Sequence, residues 1–370
     1  MTEPFVPWRS TRLDQPAGTV ADVARASLGL YATPPVSHLE LAARLPKYRA
    51  SMLDKAFANR KVVGLRALRG SAFLMPTEVV GVVTSATRDH NERAFASYLE
   101  RVLVTATYQT WSSRIDDLMA DGVTRTVTEI KTALEPPEED VKGLNYVVTQ
   151  MATECRLVGT GAPKSWRSGQ NTYARWEDWL PDVDPRADVE ASRVALAEMY
   201  LDTWGPATVA DFAWWSGLTR AEASAALTAC ADPDRSGWFT PEGAREVKPP
   251  RGVRLLPWWD TLLVTWKDRA RLIPEHLLPF VYDRDGNATS VVLVDGAVAG
   301  VWNLGADDRV LEITVAPFEK FTPRHVRLIE EEAHVIRRVA GARSVEVTRV
   351  TGPPNLADGR RNLFLRPLEG

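Results

Sequence analysis

Two stretches of this chain repeat one local grammar, and that repetition constrains the fold more than any other feature. In "WSSRIDDLMADGVTRTVTEIKTALEP" (Trp111–Pro136) one helix ends at Asp121-Gly122, Thr126 or Thr128 caps a second, and Pro136-Pro137 stops it. "KGLNYVVTQMATECRLVGTG" supplies a third helix, and "LVGTGAPKSWRSGQNTYARW" reads as two short strands about a Gly- and Ser-containing turn. The order returns in "VALAEMYLDTWGPATVADFAWWSGLTRAEASAALTAC" (Val194–Cys230). There Thr208 can cap the second helix, and Thr219 with Glu222 matches the capping box of the third. "ADPDRSGWFTPEG" follows as a wing. Three helices closed by a hairpin, twice, predict a tandem winged-helix protein, a shape that docks on duplex DNA.

The flanks add an α+β frame. Residues 1–18 read as a polar arm, and a helical unit of winged-helix kind follows over 19–110. It includes an amphipathic helix within Pro46–Val63 (Leu53, Ala56 and Phe57 on one face) and, in "GLRALRGSAFLMP", a short strand ending at Pro76. The two winged-helix units span 111–185 and 186–249, and residues 250–370 form a β-rich α+β unit. In this last part "VRLLPWWDTLLVTWKD", "SVVLVDGAVAGVWNL", "RVLEITVAPF" and "SVEVTRV" read as strands of a small antiparallel sheet or barrel, with Asp295-Gly296 as a hairpin turn. "TPRHVRLIEEEAHVIRRVAG" is one helix with a Thr cap at its start and Gly341 at its end.

Bulk properties exclude several classes. The 370 residues hold 45% hydrophobic and 25% charged residues, as a globular protein of more than one unit does. No apolar run is long enough for a membrane span, and the N-terminus has no signal-peptide core, so a cytoplasmic protein is expected. Two distant cysteines, Cys155 and Cys230, and five histidines without ligand spacing predict no disulfide, no metal and no cofactor. A net charge of −3 argues against a protein that coats nucleic acid but leaves room for a local basic groove. The 13 tryptophans cluster near turns ("WEDWLPD", "ADFAWWSGL", "LLPWWDTLLVTW") and are expected in the core or as wedges between units.

Five phrases, in order, carry a resemblance: "GLYATPPVSHLELAARL", "RKVVGLRALRGSAFLMP", "WGPATVADFAWWSGLTRAEASAAL", "LLPWWDTLLVTWKDRARLIP" and "LVDGAVAGVWNL". Together they resemble the landmarks of the AlkZ/YcaQ-like winged-helix DNA glycosylases across most of residues 19–341. The resemblance implies a C-shaped arrangement of tandem winged helices with a C-terminal β-rich part. It implies an enzyme that removes bulky or N7-alkylated purines from DNA, in some members as self-resistance to a toxin whose adducts or crosslinks it undoes. The implied partner is damaged double-stranded DNA, and the implied state a monomer. Characterised members carry Gln-x-Gln or Gln-x-Asp directly after a "GL". Here that place reads Gly29-Leu30-Tyr31-Ala32-Thr33, so the resemblance puts Tyr31 and Thr33 at the two catalytic positions.

An N7-alkylguanine is cationic and leaves without a strong general acid. Its transition state places positive charge on the deoxyribose, as in glycoside hydrolysis. The enzyme must hold a water below C1′ and tolerate that charge. Thr33 offers a hydroxyl that can position water but hardly activate it, and Tyr31 offers a polar tip and a ring face near a cation. The alternative for these residues is local: Thr33 before Pro34 stops a helix, and Tyr31 packs with its hydroxyl on backbone. His38 is a third candidate at the same mouth. No lysine near the stretch suggests a Schiff base, so strand cleavage is not expected.

Candidate DNA contacts are Arg66 and Arg69, expected on opposite faces of an extended segment, with an ion pair to a carboxylate as the alternative for Arg69. Lys164 and Arg167 in the first wing, Arg220 in the "SGLTRAE" turn, and Arg269 and Arg271 in "DRAR" complete the set, with Asp268 read as a structural ion-pair partner between domains. "DRDGNATS" (Asp283–Ser290) is a hairpin tip able to probe a groove. The same residues also fit two further functions: a DNA-binding regulator or damage-site binder without catalysis, and a small-molecule binder or enzyme in a Trp-rich cleft between units.

Overall fold

A computed structural model describes residues 5–14, 17–161, 166–167, 171–244, 246–305 and 309–356. Its strands are β1 (Leu30–Tyr31), β2 (Val62–Arg66), β3 (Ala72–Pro76), β4 (Arg125–Thr126), β5 (Leu157–Gly161), β6 (Thr172–Arg175), β7 (Val253–Leu256), β8 (Val291–Val294), β9 (Ala297–Leu304), β10 (Val310–Pro317) and β11 (Ser344–Arg349). They make two sheets, ordered β1-β3-β2-β5-β6-β4 and β11-β10-β9-β8-β7.

The winged-helix order occurs three times. The helices Tyr108–Met119, Val127–Leu134 and Gly143–Thr153 are followed by the hairpin β5–β6, with β4 paired to β6. Thr126 caps the second helix through a capping box with Glu129. The third copy runs Val189–Trp204, Val209–Ser216, Arg220–Cys230, with capping boxes at Thr208 and Thr219. Its sheet shrinks to isolated bridges of Phe239 with Ala207 and Pro233. The first copy is complete as well: helices Val20–Ala26, Val36–Arg44 and Ala50–Ala58, then β2 and β3, with β1 against β3. "GLRALRGSAFLMP" is therefore a hairpin rather than one strand, because Arg69 (φ +54°) and Gly70 (φ +67°) reverse the chain.

The first two copies fuse into one sheet where β2 meets β5 at Gly64 and Gly159. A Cβ on Gly159 would stand 3.0 Å from the Cα and carbonyl oxygen of Gly64. Glycine is needed on both sides so that the two backbones can approach. Beyond residue 250, β7 to β10 are antiparallel, but β11 lies parallel to β10. The helix Pro323–Ala340 forms that crossover, capped by Thr322 at its start and ended by Gly341 at φ +69°. The second half of "VRLLPWWDTLLVTWKD" is not strand: Asp260 caps a short helix, Thr261–Val264.

The cores ignore unit boundaries. One cluster joins Tyr31 and Phe73 of the first copy to Trp204 and Phe212 of the third and to Leu256 and Val291 beyond. The N-terminal arm is packed rather than polar in role. Val6, Trp8, Thr11 and Leu13 are buried, and the Phe5 carbonyl accepts from Nε of Arg271 at 3.1 Å. Among the described residues no helix is long and apolar enough to cross a membrane.

Candidate active site

The helix that opens the first copy stops at Ala26, because Leu28 (φ +50°) and Gly29 (φ +99°) leave the helical region. The chain then extends. Leu30 and Tyr31 pair with Leu74 and Phe73, and the Ala32 N–H donates to the Ala72 carbonyl at 2.9 Å. Along an extended segment residues 31 and 33 share a face. Pro34 and Pro35 end the extension, and the Val36 N–H closes a turn onto the Thr33 carbonyl at 2.8 Å. The two polar tips are thus held by a sheet edge on one side and a helix start on the other.

Both line one open pocket of about 620 Å³. Arg66, Arg69, Gly70 and Ser71 of the first hairpin contribute to it, Trp214 comes from the third copy, and Trp259, Asp285 and Asn287 come from the C-terminal unit. Thr33 is exposed in it. Tyr31 is 8% exposed, its ring packed on Phe73 at 4.7 Å and near Trp259 at 5.9 Å. Its hydroxyl accepts a hydrogen bond from Nη2 of Arg69 at 2.9 Å. The pair is therefore unequal: Thr33 is free to meet a ligand, while Tyr31 forms the wall.

Among the described residues Arg69 pairs with no carboxylate. Its guanidinium lies over Trp214 at 4.7 Å, and that of Arg269 lies 5.6 Å from the same ring and 4.0 Å over Tyr282. Each such contact contributes about 0.5–2 kcal/mol and fixes the cation's direction. Burial, with Arg69 nearby, pulls the Arg269 pKa down, as burial does for Arg66. Arg66 donates to the Gly70 carbonyl at 2.8 Å. Arg66 and Arg69 do not point to opposite faces: the turn between them breaks the strand and brings both to the pocket.

Next to Trp259 in the chain begins a buried charge cluster that the sequence did not single out. Arg44 and Asp260, both with fully buried side chains, make a two-pronged ion pair at 2.7 and 2.8 Å. Arg44 also donates to the Thr11 and Glu40 carbonyls. Glu40 takes the Thr261 N–H at 2.6 Å and its hydroxyl at 2.8 Å. Burial and the nearby Asp260 raise the Glu40 pKa well above the carboxylate range. Asp260 follows Trp259, whose φ of +56° is costly for a bulky residue. The ion pair holds that strained turn and so aims Trp259 at the pocket. The only sequence signal was a lone Asp in "PWWDTLL" and an i, i+4 Glu–Arg pair in "LELAARL".

Several candidates are corrected. His38 does not reach the pocket: it is 5% exposed, its Nδ1 lies 2.8 Å from the Tyr48 hydroxyl, and burial lowers its pKa to about 4. Arg271 is consumed internally. It donates to the Phe5 and Pro206 carbonyls and lies 4.4 Å over Trp266, and burial lowers its pKa to about 10. Arg167 is half-buried, donates to the Gly305 carbonyl at 2.8 Å and stacks on Trp166, which fastens the first wing to the C-terminal sheet. Asp268 caps its own turn through the Ala270 N–H, and Arg44–Asp260 is an ion pair that does join distant units. Arg220 is exposed at the first turn of its helix, past Gly217, which packs on Arg69. Lys164 lies outside the described residues.

Three units of winged-helix order, the first and third of which share a cationic, aromatic pocket with the C-terminal unit, define a protein of winged-helix class. The AlkZ-like DNA glycosylase family matches residues 24–339, and the chain belongs to that family. Among solved structures, Streptomyces sahachiroi DNA glycosylase AlkZ is similar with a TM-score of 0.70 at 20% identity, over 93% of this chain and 98% of that one. At that identity the likeness speaks for the fold. No curated protein matches in sequence. The class of activity is therefore that of a DNA-repair glycosylase, which acts on DNA.

Proposed function

We propose that the protein hydrolyses the N-glycosidic bond of N7-alkylated purines in duplex DNA, including bulky or crosslinked toxin adducts, and acts as a monomer in the cytoplasm, in self-resistance. The observation that carries this reading is the pocket itself: Thr33 stands exposed beside Tyr31 under two arginines and two tryptophans. The aromatic faces suit a displaced, cationic purine, and the guanidiniums suit the flanking phosphates. Thr33 positions the attacking water, while Tyr31, tied to Arg69, keeps the wall rigid. With no lysine among the described lining residues, the product is an abasic site with an intact strand.

Base release from duplexes carrying different N7 adducts tests the reading. Wild type is expected to release at least one of them, and Thr33→Ala to slow release about 10-fold, the worth of one well-placed hydrogen bond. A second reading has its own support, since Tyr and Thr stand where Gln-x-Gln or Gln-x-Asp was expected. Tight duplex binding with no release from any adduct selects that reading, a damage-site binder without catalysis.

A further inference from the structure

The pocket has one carboxylate among its described lining residues, and it belongs to neither catalytic position. Asp285 stands at the tip of a loop closed by the Tyr282–Ala288 bridge. The loop holds itself: buried Asp283 accepts from the Asn287 N–H at 2.8 Å and from its side-chain amide at 2.9 Å. The Gly286 N–H donates to the Asp283 carbonyl at 3.0 Å, and the Gly286 carbonyl accepts from Arg269 at 3.1 Å. Gly286 has φ +86°, and a Cβ there would stand 2.6 Å from Nη2 of Arg269, so the glycine lets the arginine clamp the loop. The loop's internal bonds run through Asp283. Among the described residues no hydrogen bond or ion pair engages the Asp285 carboxylate, which is exposed at the pocket.

A free anion in a pocket lined by Arg66 and Arg69 needs a reason. Facing DNA, it repels phosphate and lowers affinity. The chemistry has an opening for it: Thr33 and Tyr31 can hold a water, but neither is a base at neutral pH. We propose that Asp285 is the catalytic carboxylate of this enzyme, supplied from the C-terminal loop instead of from the stretch after Gly29-Leu30. The inference rests on the glycosylase reading. Water attacks C1′, and the new C–O bond forms as the C1′–N9 bond breaks. The bonding pair leaves with the purine and neutralises its N7 cation. The water's proton passes to the Asp285 carboxylate and then to solvent. Before the attack is complete, the carboxylate's charge steadies the oxocarbenium-like sugar.

The test uses the full-length protein and a duplex with a single N7-methylguanine, with single-turnover base release and duplex affinity measured side by side. Asp285→Asn is expected to slow release about 100-fold, the usual scale for a general base, with affinity unchanged or tighter because an anion is lost. Asp285→Glu is expected to recover release to within about 10-fold of wild type, keeping a carboxylate in reach. Wild-type release that Asp285→Asn leaves intact overturns this inference alone. A loss of rate matched by an equal loss of affinity makes Asp285 a binding group and overturns it too. No release by wild type from this or any other N7 adduct overturns the glycosylase reading and the inference with it.

Discussion

His38 and Glu40 sit two residues apart on one helix, both buried, and they titrate in opposite senses. Burial lowers the His38 pKa from 6.5 to about 4, so between those values the unfolded chain binds a proton that the native one refuses. Its contribution is present above 6.5 and is lost as pH falls toward 4. Glu40 is raised by burial and by Asp260, so its contribution is present below 4.5 and is lost as pH rises toward about 8. Replacing His38 with Gln isolates the first effect. Wild type should lose about 2 kcal/mol more stability than His38→Gln between pH 7 and pH 5, read from denaturant melts at each pH. An identical pH response in the two proteins would refute the burial argument. At this scale the sequence named Tyr31, Thr33, Arg66 and Arg69, which the fold gathers at one pocket, and Arg269, which lies over Trp214 beside it. It could not show that His38 and Arg271 turn inward, because burial of a polar side chain depends on residues remote in sequence: Tyr48 for one, Phe5 and Pro206 for the other.

The elements were the most legible part. Thr219 caps its helix as its spacing to Glu222 implies, Thr126 (of Thr126 and Thr128) and Thr208 cap theirs, and Asp295-Gly296 turns β8 into β9. Such signals depend on neighbours within four residues. The first hairpin was missed because its turn, "ALRGS", has no Asn-Gly or Pro and relies on Arg69 adopting a positive φ. The arginine is held there by Tyr31 and Trp214, so a tertiary contact, not turn chemistry, sets the local conformation. The seam between the first two copies makes its own prediction. Gly159→Ala brings a methyl within 3.0 Å of the Gly64 backbone, which has no side chain to yield. A loss of about 1–3 kcal/mol is expected in denaturant melts, and an unchanged midpoint would mean that the seam can open at no cost.

On the scale of the whole molecule, three small units share cores, and the pocket lies where the first copy, the third copy and the C-terminal unit meet. Surface and buried arginines should then separate in a salt titration. Arg220→Gln removes an exposed cation three residues past Gly217, which packs on Arg69, and should weaken duplex binding while reducing the salt slope by about 1. Arg271→Gln should leave that slope alone and lower the melting temperature, because its guanidinium joins the arm to the third copy. Equal effects of the two on the slope would count against this division. By itself the sequence determined the α+β class, the repeated helix order, the caps and most turns, since these follow from spacing along the chain. Only the tertiary structure decided that Arg44 and Asp260 pair in the core, that Arg69 is held by Tyr31 and Trp214, and that Asp285 shares a pocket with Thr33. Those relations join segments far apart in the chain, and they exist only once apolar burial has drawn the units together.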